Sequence, residues 1–336
     1  MLPKLPKESL IESCRKMFLI RHFEEALVGL YQEGRFRGEY HLYIGQEAIG
    51  VPVLSCLEGR DYVFSTHRNH GHLLARGAEP GRLLAEILGR RDGYNKGKGG
   101  TFHTTVASLG VPHTSAIVAG MIPLAAGAAY AIKAQKNNAV ALCLFGDGAL
   151  EEGAAVEAFN LASLQKLPVL YICENNGILS RSKPRASVSM AANPLTNISS
   201  AYGIPSVQVE GKDFGAVLNL AAEAIKKIRA GEGPQFIEAQ TIRFPGSATN
   251  SPRVPVPTDA SLAWDLAPVP EAERDWYRDE DPLLIFIRDL VETKQATKEE
   301  IVQLELNARA AIDQAVKFAL ASPDPRPEVA LEDVFV

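Results

Sequence analysis

Two strand-length apolar runs, AVALCLF (139–145) and PVLYIC (168–173), enclose a stretch at 150–165 whose apolar residues recur at helical spacing. A connection of that length is too long for a hairpin and suits a crossover, so the two runs are predicted to lie parallel in one sheet. The runs are continuously apolar rather than alternating, which points to strands covered on both faces. The pattern repeats along the chain. DYVFS (61–65), PSVQVE (205–210) and QFIEAQT (235–241) read as further buried strands, with a helical pattern at 215–230 between the last two. Strands alternating with helices predict an α/β fold, a mostly parallel sheet with helices on both faces. With 336 residues, 46% of them hydrophobic, the chain is long enough for one large α/β domain with attachments or for two small domains.

The flanks read differently. Residues 8–33 carry helical spacing behind Pro3 and Pro6, and 1–40 is taken as an N-terminal helical arm to an α/β domain at 41–243. The tract 244–282 holds seven prolines and both tryptophans, Trp264 and Trp276, and is expected to be a long irregular loop. A C-terminal helical segment and tail fill 283–336. The final helix opens on the capping box Thr297-Lys-Glu-Glu300, and Ile301, Leu304, Ala308, Ala311, Ala315 and Phe318 form its apolar stripe. The uncharged segment 115–132 is rich in Ala and Gly and broken by Pro123, which suits a tightly packed interior helix better than a membrane span. The first thirty residues mix charged with apolar positions and do not form a signal peptide. The net charge is −5 with no long run of one sign, so a nucleic-acid partner is not expected. The four cysteines, Cys14, Cys56, Cys143 and Cys173, are far apart, and the last two sit inside apolar runs as ordinary buried residues. That usage fits a reducing, cytoplasmic setting without disulfides.

Each of the two central runs ends in a small oxygen-bearing side chain. The first ends in Gly146-Asp147-Gly148 and the second in Glu174-Asn175-Asn176-Gly177. Ligands of parallel sheets bind at the carboxyl ends of strands. If the two strands are neighbours, a carboxylate and an amide oxygen share one crevice, which is hard-oxygen ligation suited to Mg²⁺ or Ca²⁺. Two protein ligands make no cage, and Mg²⁺ completes such a shell with waters and phosphate oxygens. The flanking glycines let backbone approach a phosphate, and a helix starting near Leu150 is expected to aim its N-terminus there. The bland alternative makes Asp147 a helix cap and Asn176 part of a separate turn, and the pair taken alone leaves both open. All seven histidines fall in the first 113 residues, three of them in THRNHGH (66–72) around Arg68. Three imidazoles about one guanidinium in a glycine-bearing loop suggest a polar site. No Cys or further His pattern makes them metal ligands.

Asp147 and Asn176 stand 29 positions apart. Gly-Asp-Gly, some thirty residues and Asn-Asn resembles the thiamin-diphosphate fingerprint of the transketolase-like superfamily. HLYIGQEAIGV (41–51), STHRNHGHLLARG (65–77), GKGGTFH (97–103) and the stretch 146–177 follow in the order seen in one group of it. The chain is thereby identified as similar to the α subunit of the E1 component of 2-oxoacid dehydrogenase complexes. That group includes the pyruvate, branched-chain and acetoin dehydrogenases. The likeness runs from about residue 8 to 243, with an echo in the terminal LEDVFV. A dinucleotide fold is disfavoured, since no GxGxxG follows an early strand.

The resemblance implies roles. Asp147, Asn176 and the carbonyl of Ile178 would ligate Mg²⁺. Gly148 and Ala149 would meet the diphosphate through their backbone, Arg68 would neutralise a phosphate with His67 beside it, and main-chain groups of Ala116 and Val118 would hold the aminopyrimidine. His70 and His41 correspond to active-site histidines. A β subunit in an α₂β₂ heterotetramer would supply half of the cofactor cleft. A lipoyl acyltransferase or an acyl carrier domain would take the acyl group from a 2-oxoacid or ketose substrate. The sequence departs from the pattern after Gln240. Where the family commonly has a cofactor-reaching His, this chain has Ser247, with Ala248 after it. Two activities follow: a decarboxylating dehydrogenase feeding lipoamide, or a carboligase or ketol/acyl transferase loading another carrier. A non-enzymatic scaffold is the third reading, and the intact Asp147/Asn176 pair argues against it.

Overall fold

The computed structural model describes residues 2–3, 5–179, 183–184, 194–242 and 257–333, of which 178–179 and 183–184 are described through their backbone. Ser247 and Ala248 lie outside the described residues, as do the last three residues of the LEDVFV echo.

Eight strands are described: β1 (Tyr62–Ser65), β2 (His113–Thr114), β3 (Ala141–Gly146), β4 (Val169–Asn175), β5 (Ile178–Leu179), β6 (Lys183–Pro184), β7 (Ser206–Glu210) and β8 (Gln235–Gln240). Six of them form one sheet in the order β2-β1-β3-β4-β8-β7, every pairing parallel. β5 and β6 make a small antiparallel pair. The parallel α/β fold expected from the alternation is the fold observed. The helices are α1 (Lys7–Gln32), α2 (Glu47–Ser55), α3 (Asn69–Arg76), α4 (Pro80–Ile87), α5 (Met121–Ala134), α6 (Gly153–Leu164), α7 (Thr196–Ser200), α8 (Phe214–Arg229), α9 (Pro282–Glu292) and α10 (Lys298–Ala321).

The central strands are buried on both faces because successive side chains enter two different cores. Leu142, Leu144, Leu170 and Ile172 join the core beneath α1, α2, α3 and α8. Cys143, Phe145, Tyr171 and Cys173 join the core beneath α5 and α6. Burying each such Leu or Phe contributes about 1.5–3 kcal/mol, so the sheet is stabilised from both sides. α1 packs along α10, α3 and α2 with Phe18, Phe23 and Leu27 fully enclosed.

Several expectations are corrected. Segment 115–132 is not an interior helix: α5 begins only at Met121, and it leaves Leu124 and Tyr130 exposed. Pro123 falls in its first turn, where a missing N–H loses no intrahelical bond. Of the tract 244–282 expected to be a long irregular loop, residues 244–256 lie outside the described residues. From residue 257 onward it contains short 3₁₀ and π turns and buries Val269, Trp276 and Tyr277 against the first core. The capping box of α10 is present, with Thr297 accepting from Glu300 N–H at 3.1 Å and Glu300 accepting from Thr297 N–H at 2.8 Å. Its buried stripe, however, includes Glu305, Ile312 and Ala319, while Ala311 and Phe318 are exposed. Glu305 tolerates this because Ala260 N–H and Arg309 donate to it. Among the described residues, no helix is long and apolar enough to cross a membrane.

Candidate active site

The strand order creates a crevice. The chain leaves β1 outward to the edge strand β2, then returns past β1 to β3 and continues the other way to β4. Connections that diverge from neighbouring strands leave an opening at their carboxyl ends. Four expected site segments emerge there in a row. Ala116 follows β2, His67 and Arg68 follow β1, Asp147 follows β3, and Asn176 follows β4. Because Gly146 is the register partner of Glu174, Asp147 and Asn176 leave two adjacent strands within two residues of their last pair. Asp147 is 2% exposed and Asn176 9%.

Local structure differs from the expectation in one respect. No α-helix starts near Leu150. Residues Asp147–Glu151 form a 3₁₀ turn, Glu152 is extended (φ −87°, ψ 136°), and α6 begins at Gly153. Gly148 and Ala149 therefore sit in a tight turn directly after the strand rather than in a helix. After Asn176 the chain turns through Gly177 at φ +64°, a left-handed conformation natural to glycine. Among the described residues a Cβ on Gly146 would meet nothing within 4 Å, so they leave the backbone there room for a ligand.

Arg68 stands at the N-terminal boundary of α3 and is buried, one guanidinium nitrogen donating to the carbonyl of Leu42. His67 and His41 are half-buried, with ring centroids 4.7 Å apart and Phe102 beside both. His70 is placed elsewhere. It is fully enclosed on α3, tilted against Phe23, with Nδ1 3.3 Å from Glu24. The structure thus gathers His41, His67, Arg68, Ala116, Asp147 and Asn176 along one edge and sets His70 behind them. Val118 is 53% exposed beyond Ala116.

A buried polar network underlies the crevice. His72 Nδ1 lies 2.7 Å from Ser65 Oγ, and its Nε2 lies 3.1 Å from both Tyr43 Oη and Glu174 Oε1. The Tyr43 hydroxyl donates to Glu174. Burial, reinforced by the Glu174 charge, pushes that phenol well above its ordinary value, so it stays a donor. The Tyr43 ring fits between α2 and α3 because of two glycines. A Cβ on Gly71 would lie 2.0 Å from the ring and one on Gly50 2.5 Å from the hydroxyl. Nearby, the enclosed Glu86 accepts from the N–H groups of Asn95 (2.6 Å), Gly97 (3.0 Å) and Gly99 (2.6 Å). That folds the 93–103 loop so that Phe102 reaches His41 and His67. Behind α2, Arg21 bonds Glu47 and Asp281, all three out of contact with solvent.

Sequence reasoning missed Gln46, Tyr43, Glu174, Glu24 and Glu86. A signal existed for Glu174, an acidic residue directly after the apolar run 168–173, where burial is tolerated only with a partner. Gln46 and Tyr43 lay inside a quoted motif. Glu86 reads as an ordinary charge on an amphipathic helix. Among the described residues no group of three or more His, Cys, Asp or Glu is placed to hold a metal ion.

The sequence profile of the family described as "Dehydrogenase E1 component" matches residues 15–328. The α subunit of the acetoin:2,6-dichlorophenolindophenol oxidoreductase of Cupriavidus necator is 35% identical over 332 residues, 99% of this chain and 96% of that protein. The pyruvate dehydrogenase E1 component α subunit of Zymomonas mobilis is 34% identical over 343 residues, 100% of this chain and 92% of that protein. The acetoin:2,6-dichlorophenolindophenol oxidoreductase α subunit of Bacillus subtilis is 34% identical over 332 residues, covering 99% and 95%. The chain belongs to the dehydrogenase E1 component family as an α-subunit-type oxidoreductase chain, a membership that implies thiamin diphosphate as cofactor and a β-type partner chain.

Proposed function

We propose that this chain is the α subunit of a two-chain enzyme that uses thiamin diphosphate and Mg²⁺ to decarboxylate a 2-oxoacid and pass the acyl group to a lipoyl or other acceptor. The observation that carries the reading is the emergence of Asp147 and Asn176 from adjacent parallel strands, in the same row as Arg68. The donor set fits the cofactor. A buried carboxylate and an amide oxygen suit Mg²⁺, with the carbonyl of Ile178 as a third protein ligand and phosphate oxygens completing the shell. Gly148 and Ala149 offer backbone to the diphosphate from their tight turn. Arg68 neutralises a phosphate, for which a guanidinium fork is well shaped, and His67 flanks it. Main-chain groups of Ala116 and Val118 would hold the aminopyrimidine. When bound, the cofactor supplies the electron sink for the carbon that loses CO₂.

The chain's own residues do the rest. His41, with an accessible imidazole, exchanges protons with substrate near neutral pH. His70, enclosed against Glu24 and Phe23, supports the loop from behind in this conformation. By sequence alone, Ser247, outside the described residues, stands where the family commonly has a histidine. The partner is a β subunit in an α₂β₂ assembly. Exposed apolar residues on the crevice side, Ile117 (72% exposed) and Val118, continue along α5 and α6 through Leu124, Tyr130, Leu161 and Leu164. Exposed large apolar side chains gathered on two neighbouring helices support a protein cover there. A lipoyl acyltransferase is the expected downstream partner and the cytoplasm the expected location. The Ser247 replacement favours a second reading, a carboligase or ketol/acyl transferase that loads an acyl carrier.

The test is co-expression with a β-type chain, followed by single-turnover assays on pyruvate, branched-chain 2-oxoacids and acetoin. Decarboxylation is read separately from transfer to a lipoyl domain. The expected result is turnover only in the assembled protein, and none in Asp147→Ala, whose Mg²⁺-dependent cofactor binding is lost by calorimetry. Full activity from this chain alone, or unchanged cofactor affinity in Asp147→Ala, refutes the proposal. Fast decarboxylation without transfer to any lipoyl domain selects the second reading.

A further inference from the structure

Gln46 is the first residue before α2, and its side chain is 1% exposed. Its Oε1 accepts a hydrogen bond from Asn176 Nδ2 at 3.3 Å. Its own Nε2, equally buried, has no hydrogen-bond partner among the described residues. Buried amide donors are ordinarily paired, and an unpaired one is a standing cost that an acceptor relieves.

The two amides are coupled. An asparagine amide has two ends of nearly equal shape, and only the oxygen end can ligate a cation. What decides which end faces the crevice is the partner of the NH₂ end. Gln46 Oε1 is an acceptor only, so it takes the NH₂ of Asn176 and disfavours the flipped amide, which would set oxygen against oxygen. That arrangement also turns the Gln46 NH₂ away from Asn176.

Gln46 itself has little freedom. Its N–H donates to the carbonyl of Tyr43 at 3.1 Å. Gly45 is held on both sides, its N–H donating to Glu47 at 2.8 Å and its carbonyl accepting from Thr241 Oγ1 at 2.8 Å. Glu47 is fixed in turn by Arg21 at 2.8 Å. The reference for the orientation of Asn176 is therefore a rigid helix start rather than a loop.

Resting on the cofactor reading above, we propose that Gln46 is a positioning residue of the metal–diphosphate site. Its carbonyl oxygen fixes Asn176 with Oδ1 toward the cation. Its second N–H donates to an oxygen of the bound diphosphate or of the water hydrating the cation. One side chain thereby couples cation ligation to diphosphate recognition.

The experiment separates the two ends of the amide. Gln46→Met keeps the length and loses both functions, and Gln46→Glu keeps the acceptor and loses the donor. Each variant, assembled with its β-type partner, is titrated with thiamin diphosphate by calorimetry at a series of fixed Mg²⁺ concentrations. In Gln46→Met the Mg²⁺ concentration for half-maximal binding is expected to rise about tenfold or more, the size of effect that loss of a buried hydrogen bond produces. In Gln46→Glu that concentration stays within about threefold of wild type, while cofactor affinity at saturating Mg²⁺ falls about tenfold. Unchanged binding in Gln46→Met overturns the proposal, as does a Mg²⁺ response in Gln46→Glu as impaired as in Gln46→Met. Should Gln46→Met fail to fold, the split between the two readouts in Gln46→Glu decides alone. Asn176→Ala is the control for the underlying reading. If it binds cofactor with wild-type Mg²⁺ dependence, the site assignment falls. If it loses that dependence while the Gln46 variants behave as wild type, only the role of Gln46 falls.

Discussion

Replacing Arg21 by Met tests how the buried charges behind the site are balanced. Arg21 Nε donates to Glu47 Oε1 at 2.8 Å, and its two terminal nitrogens grip Asp281 at 2.8 Å each. One nitrogen also reaches Thr258 Oγ1 at 3.3 Å. One cation thus serves two carboxylates, and all three side chains are at most 1% exposed. Burial already lifts the Glu47 carboxyl above its ordinary value even though Arg21 opposes the shift. Removing one partner of a buried ion pair costs roughly 3–5 kcal/mol. Losing the shared cation strands two anions, so Arg21→Met belongs at the upper end, about 5 kcal/mol. Asp281→Asn leaves the neutral Arg21–Glu47 pair. It also keeps an oxygen to cap α9, where Asp281 accepts from Leu283 N–H (3.0 Å) and Leu284 N–H (3.3 Å). It should cost about 1–3 kcal/mol. Thermal unfolding of the assembled protein is the assay, at about 2 °C per kcal/mol for a chain of this size. The pH dependence supplies a second signature. Carboxylates stranded in the core have raised folded-state values, so they favour the fold when protonated and oppose it when ionised. The deficit of Arg21→Met should therefore narrow as pH falls from about 8 to about 5. A melting temperature within about 2 °C of wild type, or a deficit that widens on acidification, would refute the reasoning.

Four further outcomes are expected. Burial lowers the His22 imidazolium, but its hydrogen bond to Glu25 and the Glu305 carboxylate 3.5 Å from its Nε2 outweigh that and leave the value raised. Its stabilisation is therefore complete below about pH 6.5 and lost as pH rises through the folded value. His22→Gln should remove that slope from melting curves taken between about pH 6 and 8.5. Gly71→Ala puts a methyl 2.0 Å from the Tyr43 ring. It should cost about 1–3 kcal/mol by overpacking, seen as a lower melting temperature that Gly71→Ala combined with Tyr43→Ala does not lower further than Tyr43→Ala alone. His41→Ala should cut single-turnover rates by about 10²–10⁴-fold at an unchanged melting temperature. His70→Ala should lower the melting temperature, because it leaves a cavity beside Phe23 and Glu24 without its imidazole. The opposite pattern would place the proton transfer on His70.

The sequence by itself determined that β3 and β4 exist, that they run parallel, and that Asp147 and Asn176 stand at their ends. Those facts depend on local burial periodicity and on the length of one crossover, both written in consecutive residues. The capping box at Thr297 was legible for the same reason, since a cap is an agreement among neighbours. Tertiary structure alone decided what lies beside what. α5 shows an exposed face, although its composition reads as interior. Composition reports the affinity of a segment for apolar surroundings and not whether this chain supplies them. The buried stripe of α10 runs through Ile312 rather than Ala311 because α1 and α4 approach from that side, and nothing within the helix records that direction. Gln46 meets Asn176 across 130 positions of sequence and Tyr43 meets Glu174 across 131. Such pairings are satisfied only when the sheet order brings the start of α2 to the end of β4. A polar residue in an apolar run announces that it needs a partner, but only the folded chain names which one.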